Sequence, residues 1–244
     1  MSLTYLHNIN LILIRPSHPG NIGASARAMK TMGLSAMSLV DPLYFPSPTA
    51  NALASKGLDI LEHAQVYPDL HAALSTSQCI FGMSALSTRM PGWPELDIRK
   101  AAMLAVQQAR NGQKVAFLFG TERTGMTNDE LKLCHYHVHI PTSSAFSSLN
   151  LSQAVQVACY ELFMAGQQES TPEPLARILA THLEQEGFYT HLERVGTKIE
   201  FLKDPQTEVM MQKLRRLFQR AQLNSNEIKI LRGILSNMER KCSS

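Results

Sequence analysis

The chain of 244 residues lacks any uninterrupted apolar stretch near the roughly 20 residues that a membrane helix needs, and no early apolar run is followed by a small-residue cleavage site. No stretch can serve as a membrane-spanning helix, and we expect a soluble, unprocessed protein. It also lacks paired cysteines. Cys79, Cys134, Cys159 and Cys242 are scattered without a CxxC spacing and three fall in apolar segments, so they read as reduced thiols of a cytoplasmic protein. Charge of one sign is scarce as well: a net of +3 is too small to demand a polyanionic partner. Internal repeats and low-complexity tracts are absent, which removes solenoids from the candidate architectures.

What the chain does have is alternation. Apolar runs of strand length recur near 9–15, 36–41, 64–67, 79–84, 114–119 and 135–140, separated by segments with helical spacing, the pattern of a mostly parallel sheet flanked by helices. Gly166 closes the last of those helices, and the following stretch to Pro174 is polar and proline-bearing. We therefore expect an α/β domain over 1–165, a linker over 166–174 and a small all-α domain over 175–244. Helical patterns there cover 175–186, 207–221 and 226–241, with Leu214, Leu217, Phe218 and Ala221 on one apolar stripe and Ile228, Leu231, Leu235 and Met238 on another.

Three stretches of the first domain combine small residues, one or two charges, and an adjoining strand or helix. They are Asn21-Ile-Gly-Ala-Ser-Ala-Arg27, Phe119-Gly-Thr-Glu-Arg-Thr-Gly125 and Ile140-Pro-Thr-Ser-Ser-Ala-Phe-Ser-Ser-Leu-Asn-Leu-Ser152. Such loops let backbone N–H groups approach a ligand, and parallel sheets collect binding residues at the carboxyl ends of strands, so three in one domain point to a catalytic site. Asn21 stands where it can cap a helix that Gly33 ends, Thr127 to Glu130 has capping-box spacing, and Asn150 with Gln153 opens a further helix. An NAD-dependent oxidoreductase finds Gly20-Asn-Ile-Gly23 after the first strand and Asp41 about 20 residues on, but the spacing of glycines that brings a pyrophosphate to the helix is missing.

Asn21 through Gly33, the Phe-Gly-x-Glu-x-x-Gly turn and Ser147-Ser-Leu-Asn-Leu-Ser152 together resemble the three motifs of the SPOUT methyltransferases, in the branch that methylates ribose 2′-oxygens of RNA. Ala28-Met-Lys-Thr-Met-Gly-Leu34, Cys134-His-Tyr-His-Val138, Lys213-Leu-Arg-Arg-Leu-Phe218 and Ile230-Leu-Arg-Gly-Ile-Leu235 extend the likeness over nearly the whole chain, toward members acting on nucleotide 32 of the tRNA anticodon loop. The resemblance implies a SPOUT fold with a deep trefoil knot, a homodimer, S-adenosyl-L-methionine as methyl donor and tRNA as substrate, with no metal and no membrane. Carried over position by position, the cofactor pocket is Met83, Ser84, Ala85, Gly120, Ile140, Ser147, Ser148 and Leu149. Arg27 is the expected catalytic residue, since a guanidinium can hold a phosphate bidentately and polarise the adjacent 2′-hydroxyl. Asn21, Glu122 and Asn150 are the expected positioning groups, and Arg89, Lys213, Arg216 and Arg220 the expected RNA contacts.

Phe146 stands where the family usually has tyrosine, Arg15 where an acid occurs, and Leu86 where an arginine is common, departures that bear on target preference more than on reaction type. His135, His137 and His139 alternate along one strand and so share a face, but no cysteine or carboxylate nearby completes a zinc set. The basic run from Lys213 to Arg220 reads as a solvated helix face from charge alone and as an RNA contact only beside the enzyme motifs. The alternatives are 2′-O-methylation of another tRNA position or of ribosomal RNA, a non-catalytic RNA-binding protein, and the oxidoreductase.

Overall fold

The computed structural model describes residues 4–85, 92–145, 147–168 and 178–242. The chain divides into two compact units, Met1–Ala176 and Arg177–Ser244. In the first unit the elements run β1 (Ile9–Ile14), α1 (Pro19–Thr31), β2 (Ala36–Val40), α2 (Pro48–Ala54), α3 (Leu58–Glu62), β3 (Gln65–Tyr67), α4 (Leu70–Leu74), β4 (Cys79–Met83), β5 (Glu95–Asp97), α5 (Ile98–Arg110), β6 (Val115–Phe119), α6 (Asn128–Lys132), β7 (Tyr136–His139) and α7 (Leu151–Gln167). Every strand pairing is parallel, in the order β3-β2-β1-β6-β4-β7-β5. The six expected strands are all present. Strand β5 is additional: three residues, Glu-Leu-Asp, too short and too polar to show a strand period, held at the edge by β7 alone.

The central strands read as continuous apolar runs because helices cover both faces. Leu11 and Leu13 of β1, with Phe81 and Phe117, face the core that includes Ile22, Ala26 and Met29 of α1, Ala105 of α5 and Val155 and Leu162 of α7. Ile12 and Ile14 belong to the opposite core, with Leu74 of α4, Ile80, Leu118 and Leu131 of α6. Phe81 stacks on Phe117 with ring centroids 4.8 Å apart, filling the middle of the sheet. Helix α1 comes so close to α2 that a Cβ on Gly23 would lie 2.1 Å from the carbonyl oxygen of Ala50, so only glycine permits this packing.

Helix α1 begins two residues before the expected cap. His18 is the N-cap, its Nδ1 accepting from Gly20 N–H at 3.1 Å, and Pro19, with φ preset for a helix, takes the first position. Asn21 therefore sits inside the first turn. Helix α7 opens on the expected Asn150 capping box, and α6 on that of Thr127 and Glu130. Gly166 lies within α7 rather than after it; Arg110 closes that helix by donating to the carbonyls of Gly166 (2.9 Å) and Gln168 (3.0 Å). Of the expected linker, residues 169–174 lie outside the described residues.

The second unit holds α8 (His182–Lys198), α9 (Thr207–Ala221) and α10 (Ser225–Lys241). Its first helix among the described residues covers 182–198, started by the Thr181–Glu184 capping box; of the expected 175–186, residues 178–181 precede that helix and 175–177 lie outside the described residues. Phe188, Tyr189, Val195, Met211, Ile228 and Leu235 form its core. Three residues assigned to buried stripes face outward instead: Leu217, 48% exposed, Met238, 43%, and Ala221.

Candidate active site

The three loops emerge at the carboxyl edge of the sheet, and a chain of side-chain hydrogen bonds joins them. Released from capping, Asn21 donates from Nδ2 to Glu122 Oε1 (3.1 Å), while its Oδ1 accepts from Asn150 Nδ2 (3.1 Å). Glu122 also accepts from the N–H of Ser17 (3.1 and 3.2 Å), the Ser17 hydroxyl (3.0 Å) and the N–H of His18 (3.2 Å), placing a carboxylate at the positive end of α1. Partial burial pushes the Glu122 pKa up, but the hydrogen bonds from Asn21, Ser17 and His18 together outweigh it and hold the group below the usual range, as a carboxylate. Asn150 uses its own Oδ1 to cap α7 at Ser152 N–H (2.9 Å), which fixes which end of its amide faces Asn21. The three expected positioning residues are thus one connected unit.

Behind this chain lies a half-open cleft of about 240 Å³, lined by all eight residues expected to bind the cofactor: Met83, Ser84 and Ala85 after β4, Gly120 after β6, Ile140 after β7, and Ser147, Ser148 and Leu149 before α7. Phe119, the turn from Thr121 to Met126, and Leu151 and Ala154 of α7 complete the wall. Apart from Glu122, expected as a positioning group, these were not among the residues assigned to the cofactor, although Phe119 and the turn share a motif with Gly120, and Leu151 shares one with Ser147 to Leu149. The turn is closed by Thr121 N–H to Gly125 O (3.1 Å) and Gly125 N–H to Thr121 O (2.9 Å). A Cβ on Gly120 would meet Gly125 C at 2.2 Å, so glycine is required for this turn to fold back on its strand, before any ligand is considered. Ser84 N–H is engaged by Val138 O (2.8 Å) and so is not a ligand donor. The main chain of Ser147, Ser148 and Leu149, by contrast, lies in no helix or ladder and takes no hydrogen-bond partner among the described residues.

Arg27 is exposed on α1, two turns beyond the network, and its guanidinium has no hydrogen-bond or ion-pair partner among the described residues. Arg15, in the left-handed region at φ 45°, pairs with Glu130, so the basic residue at this position is balanced by an acid of α6. Arg89, Leu86 and Phe146 lie outside the described residues.

The SpoU rRNA Methylase family profile matches residues 8–160, and that of the tRNA methyltransferase TrmJ C-terminal domain matches 183–244. This chain belongs to the SpoU methylase family. Within it, the chain is 44% identical to a protein of Sodalis glossinidius named tRNA (cytidine/uridine-2′-O-)-methyltransferase TrmJ, over 96% of this chain and 92% of that one. A protein of Salmonella typhimurium with the same name is also 44% identical, over 97% and 98%. Among solved structures, TrmJ from Z. mobilis ZM4 superposes with a TM-score of 0.81 at 32% identity, covering 94% of this chain and 98% of that one. The SpoU methylase profile spans all three motif loops and every residue of the cleft.

The remaining candidate features resolve into structural roles. His135 Nδ1 accepts from Ile80 N–H (3.1 Å), and His137 Nε2 donates to Leu131 O (3.1 Å) while its ring stacks on Trp93. Burial keeps the His137 pKa below its usual value, which favours the neutral ring of such a packed role. No group of three or more metal-ligating side chains occurs among the described residues. In the helical unit, the run on α9 splits. Arg215 turns inward, paired with Glu186 (2.8 Å) and lying 4.3 Å above the Tyr189 ring, whereas Lys213 and Arg220 are exposed and Arg216 is half-buried.

Proposed function

We propose that this chain transfers the methyl group of S-adenosyl-L-methionine to the ribose 2′-hydroxyl of nucleotide 32, cytidine or uridine, in the anticodon loop of cytoplasmic tRNA, acting as a homodimer. The observation that carries the reading is the cleft itself, in which all eight expected residues from four separate segments form one wall beside the Glu122–Asn21–Asn150 chain. The relatives' names supply the nucleic acid and the atom methylated.

The donor set fits an adenosine carrying a sulfonium. Ile140, Leu149 and Met83 offer apolar surface for a base, and the unpartnered main chain of 147–149 offers donors and acceptors for its edge and ribose. When bound, S-adenosyl-L-methionine supplies an electrophilic methyl group. The chain's own contribution is to hold and polarise the nucleophile. The Arg27 guanidinium can bridge a phosphate while donating toward the adjacent 2′-oxygen, stabilising the charge that grows there as the hydroxyl proton passes to solvent water. Glu122 is unsuited to take the proton, since its acceptor sites are engaged and its pKa is held low. Its part is to fix the start of α1, and with it the direction in which Arg27 projects.

The dimer is supported by Tyr160 and Met164, 47% and 42% exposed one turn apart on α7, which leave an apolar strip uncovered in the single chain. The trefoil knot belongs to the same reading, supported by a sheet in which β4 is flanked on both sides by later strands. The test is a tRNA transcript carrying a 2′-deoxyribose at nucleotide 32: it should accept no labelled methyl group while the all-ribose transcript does. Equal labelling of both would remove the assignment.

A further inference from the structure

The loop after β2 carries two large apolar residues outward in succession, Leu43 at 62% and Tyr44 at 59% exposure. Two observations make it a built feature. Its first residue, Asp41, is held in the left-handed region at φ 45° while its N–H bonds to Tyr67 O at 3.0 Å, and Leu43 N–H bonds to Pro16 O at 3.2 Å, tethering the loop to the one that delivers Ser17 and His18 to Glu122. Neither the ring nor the hydroxyl of Tyr44 has a partner among the described residues.

Strand order gives the loop its place. β2 and β6 are the two neighbours of β1, so the loops after them leave the same edge on either side of the loop that starts α1, about two strand spacings or ~10 Å apart. The loop after β6 bears Arg123, exposed at the cleft wall and, like Arg27, without an ion-pair partner among the described residues. An exposed aromatic ring beside uncompensated guanidinium groups is the combination that receives single-stranded RNA, the ring by stacking on a base and the cations by pairing with phosphates.

We propose that Tyr44 is a stacking platform for an unpaired base of the substrate RNA close to the target nucleotide, and that Arg123 holds a phosphate of the same strand. This rests on the reading of the chain as an RNA methyltransferase. Leu43 extends the apolar surface beneath the base.

The experiment measures tRNA affinity against salt for the full-length chain and its Tyr44→Ala, Tyr44→Phe, Tyr44→Trp and Arg123→Ala variants, with cofactor affinity measured in parallel. Loss of one stacked base should weaken Tyr44→Ala by about 5- to 150-fold with the salt slope unchanged, while Tyr44→Phe and Tyr44→Trp stay near wild type. Arg123→Ala should weaken tRNA binding and reduce the slope by about 0.7 to 0.9, one phosphate contact. Wild-type affinity in Tyr44→Ala overturns the platform, and an unchanged tRNA salt slope in Arg123→Ala overturns the phosphate contact, whatever happens to cofactor affinity. A wild-type protein that binds no tRNA would refute the underlying function instead.

Discussion

Replacing Glu122 by glutamine keeps the side-chain shape and removes the charge on which the network converges. The carboxylate accepts from two main-chain N–H groups, one hydroxyl and one amide, all between 3.0 and 3.2 Å. An amide offers a single acceptor oxygen and turns an NH₂ toward donors, so part of that set loses its partner. Hydrogen bonds to charged groups are worth about 1.5–3 kcal/mol each, but water reaches this half-exposed site, and we expect a net loss near 1 kcal/mol. For a chain of this size that lowers Tm by about 2–4 °C. The pH dependence carries the sign: an acid whose folded pKa lies below its unfolded value, about 4.3, contributes stability that is fully present above that value and disappears as pH falls through the folded pKa. The Tm difference between wild type and Glu122→Gln should therefore be constant at neutral pH and close below about pH 4. Because the same bonds fix the start of the helix bearing Arg27, kcat should fall by about 10- to 100-fold, the scale of an ångström-level misplacement. Calorimetric scans from pH 3 to 7 and single-turnover methyl transfer check both, with pH values set on the scale of carboxylate titration at about 4. Wild-type turnover with a Tm difference that persists unchanged into acid would refute the reasoning.

Arg27→Ala removes the one guanidinium of α1 without touching the cleft wall; turnover should fall at least about 10³-fold while cofactor affinity, read by calorimetry, stays within about threefold. Gly120→Ala forces a methyl group to within 2.2 Å of the Gly125 backbone, and the turn must open; cofactor affinity should drop by an order of magnitude or more and Tm should fall, both against wild type. Burial pushes the Cys79 thiol up to about 12 and those of Cys134 and Cys159 upward as well, while Cys242 is exposed, so a thiol reagent should modify one cysteine rapidly in the native protein and all four once it is denatured.

The strands were legible because each rests on local pattern, and the residues that line the cleft were named through the family resemblance, carried over position by position. Apolar runs such as Ile9–Ile14 mark strands buried on both faces, and the motif loops contain both the lining residues and the capping groups that position them. The order of strands was not legible, since inserting β6 between β1 and β4 is a long-range choice that no local period records. Where two signals competed, the backbone decided. His18 and Asn21 both have capping chemistry, and Pro19 selects the earlier start, which frees Asn21 for Glu122. Arg215 has the same charge as Lys213 and Arg220, and only the tertiary partners Glu186 and Tyr189 draw it inward. Gly120 was expected in the cofactor pocket, and the glycine is needed there already for the fold, since the backbone of Gly125 and Met126 occupies the place of a Cβ. Tyr44 gave no signal, because an aromatic residue in a proline-flanked loop is informative only once its exposure and the tether of its neighbour Leu43 to Pro16 are known.

The central claim is methylation of one ribose oxygen in tRNA, and the most direct measurement is mass-spectrometric mapping after the wild-type protein, S-adenosyl-L-methionine and an unmodified tRNA transcript have been incubated together. The account predicts a single added methyl group on the ribose of nucleotide 32. A methyl group on a base, or no methylation of any tRNA by protein that binds the cofactor, would contradict it.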